Sequence, residues 1–173
     1  MGCKKDNSPI PVIYMLSKQE REDIELKQLF ENLKEWNSFN PTTIMTDCAA
    51  NYALVISKYF PKANHRLCLW HVYRAWAAAC KRFFKKDSNK IFGKLVSIQK
   101  ILDKPRFVKE LDAFLQKMPE DFKTYFEYYL KCIFKWAACG RTNLGVNVNT
   151  SLESLHRIIK RDQLASNFKF CID

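Results

Sequence analysis

The stretch Thr42-Thr43-Ile44-Met45-Thr46-Asp47, together with the later Leu67-Cys68-Leu69-Trp70-His71, decides how this chain folds. A short apolar and β-branched run that ends on Asp, with a helical pattern beginning directly after it, reads as a buried strand delivering a carboxylate to a cleft. Many metal-dependent phosphoryl-transfer enzymes present one of their ligands in this way. Pro41 opens the strand, Tyr52, Val55, Ile56 and Tyr59 recur at helical spacing, and Ala63 to Leu69 reads as the next strand. Upstream, Pro11 to Leu16 is a third short apolar run, preceded by the turn-forming Asp6-Asn7-Ser8-Pro9. Ser17 and Glu20 then form a capping box, and Leu26, Leu29, Phe30, Leu33 and Trp36 predict a helix over about residues 18 to 36. The order is strand, helix, strand, helix, strand, an α/β arrangement.

After His71 the pattern is all helical, with helices expected over about residues 71–84, 89–102, 106–117 and 121–137. Phe122, Tyr125, Phe126, Tyr129, Ile133 and Trp136 make one aromatic stripe on the last of these. Such a stripe can stack on nucleotide bases, but packed core is the simpler reading. A polar connection from Gly140 to Asn149 leads to a final helix that starts near Thr150.

With 173 residues and 47% apolar content, the chain is expected to form a single domain rather than a disordered segment. Only four Gly and six Pro are present, so no flexible linker stands out. The first residues lack the apolar core of a signal peptide, and no apolar run reaches membrane-spanning length. Met1-Gly2 and Cys3 invite lipidation, but the usual pattern wants Ser or Thr where this chain has Asp6. Seven Cys, an odd number without regular spacing, suit reduced thiols and hence a soluble intracellular protein. The net charge of +11 points to an anionic partner, with DNA ahead of a membrane surface because no basic amphipathic arm is present.

Each candidate site residue has a structural explanation as well as a chemical one. Asp47 is a good helix N-cap for the segment that follows it. On the final helix Leu152, Leu155, Ile158 and Ile159 form an apolar stripe, while Glu153, His156, Arg157, Lys160 and Arg161 share the other side. Thr150 and Glu153 fit a capping box, which by pattern alone is the first reading of that carboxylate. Cys68 and His71 have half of a zinc-site spacing, but no second Cys or His pair matches them, so packing or hydrogen bonding is favoured over zinc. His65, Cys48 and Cys80 are the residues that the fold would have to recruit for a zinc site.

The joint order of these pieces resembles the Mutator-like element (MULE) transposase domain, over nearly the whole chain. The resemblance rests on Pro11-Val12-Ile13-Tyr14 with Glu20, on Ile44 to Asp47, and on Phe60-Pro61-Lys62-Ala63-Asn64-His65-Arg66-Leu67-Cys68-Leu69-Trp70-His71. It continues through Trp136, Arg141 and Asn149-Thr150-Ser151-Leu152-Glu153-Ser154-Leu155-His156-Arg157 with Lys160. The resemblance implies a ribonuclease H-like fold, with an α/β part over residues 9–71, a helical insertion over 72–148 and a final core helix over 149–165. It makes Asp47 the second Asp and Glu153 the Glu of a catalytic trio of two Asp and one Glu, with Cys68 and His71 as the family's C-x-x-H motif. Such a trio holds two divalent cations, for which hard oxygen ligands suit Mg²⁺ or Mn²⁺. His156, Arg157, Lys160 and Arg161 would contact DNA phosphates beside Glu153.

The family's first Asp lies on a strand upstream of the one matched by Pro11 to Leu16, and Asp6, in a turn, does not replace it. The fold is therefore expected to be N-terminally truncated, with an exposed ladder edge that pairing of two such chains as a homo-oligomer would cover. The leading expectation is a nuclear domain derived from a mobile element, silent in catalysis and retaining affinity for DNA. Its alternatives are a domesticated DNA-binding or protein-interaction module without chemistry, and a zinc-stabilised interaction domain.

Overall fold

The computed structural model describes residues 22–35, 39–48 and 51–141. The strand expected over Pro11 to Leu16 and the final helix near Thr150 lie outside the described residues. The described chain is mixed α/β, mostly helical around a small parallel sheet. In order it forms α1 (Glu22–Glu35), β1 (Thr43–Thr46), α2 (Asn51–Tyr59), β2 (Asn64–Leu67), α3 (Leu69–Phe84), α4 (Ser88–Gln99), α5 (Lys104–Leu115), α6 (Glu120–Lys131) and α7 (Ile133–Trp136), with short 3₁₀ turns at Lys85–Asp87 and Ala138–Gly140.

Strands β1 and β2 run parallel, in register from Thr43 opposite Asn64 to Thr46 opposite Leu67. Parallel neighbours need a crossover, and α2 supplies it. The helical spacing of Val55, Ile56 and Tyr59 buries one side of α2 against Phe30 and Leu33 of α1, with Ile44 of β1 packed on the same cluster. Phe60 closes that cluster, its ring centroid 5.6 Å from that of Phe30. Strand β2 ends at Leu67 rather than running to Leu69 as its apolar sequence suggests. The Cys68 N–H makes the last rung to the Thr46 carbonyl (2.7 Å), and the Cys68 carbonyl already accepts the Val72 N–H (3.1 Å). Cys68 is thus the residue at which sheet turns into helix.

The larger core belongs to the helices. Val72, Trp76, Ala79 and Cys80 line the inner side of α3 and meet Leu95, Ile98, Phe107, Leu111, Phe114, Phe122, Phe126, Tyr129 and Trp136. The aromatic stripe of residues 122–136 is core: Phe122, Phe126, Tyr129 and Trp136 are buried, and Tyr125 and Ile133 pack against them. None of the described helices is long and apolar enough to cross a membrane.

One expected helix is two. The periodic run over 121–137 breaks at Cys132, whose φ of −124° and ψ of 32° leave the helical region. Tertiary hydrogen bonds outweigh local propensity here. Arg66 of β2 donates to the Phe134 carbonyl (2.6 Å), Gln99 of α4 to the Trp136 carbonyl (2.9 Å), and the Trp136 indole to the Tyr129 carbonyl (2.8 Å). These bonds turn α7 across β2, where a straight continuation of α6 would carry it away.

Candidate active site at the end of strand β1

Asp47 follows the last residue of β1 and is half-buried. It lines an open cavity of about 420 Å³ with Cys48, His71, Arg74, Ala75 and Ala78. The last four share one stripe of α3 at helical spacing, so a single helix side faces the strand end. Ala75 and Ala78 are small and leave the space open. The C-x-x-H motif is divided between two environments: Cys68 is 0% exposed in the core, whereas His71 opens onto the cavity beside Asp47.

A hydrogen-bond relay fixes the strand end. Lys135 of α7 donates to Nδ1 of His65 (2.9 Å), since an ammonium can only donate. The His65 proton then sits on Nε2 and is given to Thr46 Oγ1 (2.8 Å), whose own hydroxyl donates to the Asp47 carbonyl (2.9 Å). Burial and the Lys135 charge both oppose protonation and hold the His65 pKa down at about 4. The unfolded chain, with His near 6.5, binds the proton more readily. His65 therefore contributes stability that is complete above about pH 6.5 and is lost as pH falls toward 4. In acid unfolding curves, wild type should lose on the order of 1–2 kcal/mol more than His65→Gln across that window, allowing for partial solvation. Parallel curves would contradict the relay.

The loop after β1 is held from the other side by Tyr128 of α6, which donates to the Cys48 carbonyl (2.6 Å). Burial, with the charge of Asp47 behind it, pushes the Cys48 thiol up to about 12, and burial raises Cys80 to about 11. Both are protonated at neutral pH and poor metal ligands as they stand. Among the described residues no three His, Cys, Asp or Glu side chains come together as a metal cluster.

Arg141 serves the architecture: it is 5% exposed and donates through Nη1 to the Leu67 (2.6 Å) and Lys135 (2.8 Å) carbonyls, joining the end of β2 to α7. Glu153, His156, Arg157, Lys160 and Arg161 lie outside the described residues. Sequence reasoning overlooked Arg74, although its place one turn after His71 was the available signal. It had no signal for the pairing of His65 with Lys135.

Among protein-family models, that of the MULE transposase domain matches residues 1–75, a span that contains Asp47, Cys68, His71 and Arg74 and ends within α3, well before Glu153. No curated protein and no solved structure matches the chain. Over residues 1–75, the chain is similar to the MULE transposase domain family.

Proposed function

We propose that the chain is a transposase-derived, DNA-binding domain of the ribonuclease H-like DDE superfamily, acting in the nucleus, whose ancestral chemistry is metal-dependent cleavage and transfer of DNA strands. The observation that carries this reading is Asp47, set at the end of a parallel strand and facing a cavity it shares with His71 and Arg74. A carboxylate is a hard donor, and about 420 Å³ is ample for a hydrated Mg²⁺ or Mn²⁺, a water occupying roughly 30 Å³. Bound there, such ions would stabilise the attacking and leaving oxygens of a phosphodiester displacement. The chain's own part is to hold and orient. Asp47 and Glu153 provide two carboxylates on different elements, and Arg74 offers a guanidinium to a phosphate at the cavity mouth. His156, Arg157, Lys160 and Arg161 bind flanking phosphates, and residues 72–148 form a helical insertion between the two carboxylates. No third carboxylate of the trio is assigned, because Asp6 reads as a turn residue. The 173-residue chain is therefore expected to bind DNA and leave it uncut.

Supercoiled plasmid with Mn²⁺ tests both halves. The chain should retard the plasmid at low ionic strength without nicking it, and in chelator Asp47→Asn should bind roughly threefold to tenfold tighter, having lost a charge that repels phosphate. Nicking that Asp47→Asn abolishes would overturn the expected silence. Absence of retardation would overturn the DNA reading and leave a protein-interaction module.

A further inference from the structure

We propose that Trp70 and Arg74, on the first two turns of α3, form a stacking platform for an unpaired base next to the phosphate held at the Asp47 cavity. This rests on the DNA reading above and names the form of DNA that the site takes. Trp70 is 41% exposed, whereas Trp76 and Trp136 are 0% exposed, so this indole is not spent on the core. The Arg74 guanidinium lies over the Trp70 ring at 5.3 Å, and the His71 ring stands edge-on to it at 4.7 Å. Arg74 makes no hydrogen bond or ion pair among the described residues, yet it lines the cavity with Asp47. The ring attracts the guanidinium as a cation and takes none of its N–H donors, which leaves them for a phosphate oxygen. The exposed indole surface offers a π-face of the kind on which single-stranded bases stack. Paired bases are already stacked within the duplex, so the ligand chemistry is a short single-stranded extension beside a duplex.

The test uses the full chain and two fluorescein-labelled probes, one duplex with a 3′ single-stranded extension and the same duplex blunt, read by anisotropy. Wild type should prefer the extended probe by roughly tenfold. Trp70→Ala should remove that preference, lowering affinity for the extended probe by more than for the blunt one, and Trp70→Tyr should keep part of it. Because Trp70 lies outside the core, circular dichroism of both variants should match wild type. A preference unchanged in Trp70→Ala, with both probes bound, overturns the platform and leaves the DNA reading standing. Failure to bind either probe overturns both.

Discussion

Trp76→Ala is expected to lower stability by about 3–5 kcal/mol, the range for deleting a buried aromatic side chain. That loss is a large fraction of the stability of a typical domain, roughly 5–15 kcal/mol. Trp76 is 0% exposed, and its ring lies 5.0 Å from Trp136, 5.6 Å from Tyr129 and 5.7 Å from Phe126, so it joins α3 to α6 and α7 at one point. Its indole N–H has no acceptor among the described residues. Trp76→Phe therefore sacrifices volume but no hydrogen bond, and should cost only about 1–2 kcal/mol. Urea unfolding followed by circular dichroism compares the three proteins. A phenylalanine variant as damaged as the alanine variant would show that the indole N–H has a partner.

Gly140→Ala should be nearly as harmful, by about 2–3 kcal/mol, through overpacking instead of a void. A Cβ on Gly140 would stand 2.7 Å from the Phe134 carbonyl oxygen and 2.8 Å from Phe134 Cα, which are backbone atoms that cannot swing aside. Only a shift of α7 relieves the clash. That helix carries Lys135, the donor to His65, and Phe134, the acceptor of Arg66, so the strain reaches the end of β1. The variant should thus show both a lower melting temperature and a His65 pKa moved up from about 4 toward its ordinary value. With three His in the chain, imidazole proton titration by NMR can resolve the change. A lowered melting temperature with His65 unmoved would separate α7 from the site.

The parts of the fold legible in the sequence were those governed by local periodicity. The β1, α2 and β2 succession followed from an apolar run ending on Asp47, a helical repeat at Tyr52, Val55, Ile56 and Tyr59, and a second short run. The aromatic stripe was rightly assigned to core. What the pattern could not carry was competition between local and distant bonds. Cys132 sits within a sound helical repeat, yet Arg66 and Gln99, far along the chain, take the carbonyls of Phe134 and Trp136 and bend it. The C-x-x-H spacing likewise gave no sign that Cys68 enters the core and His71 a cavity. The relay from Lys135 through His65 to Thr46 joins residues 70 apart in sequence at its first step, beyond the reach of any local signal.

A DNA phosphate held, as proposed, at the cavity shared by Asp47, His71 and Arg74 should register in the salt dependence of duplex binding. Measured across ionic strength for wild type and Arg74→Gln, log affinity should fall linearly with log salt for both. The variant's slope should be shallower by about 0.9, one phosphate contact fewer. Identical slopes, or no duplex binding by wild type even at low ionic strength, would contradict the account.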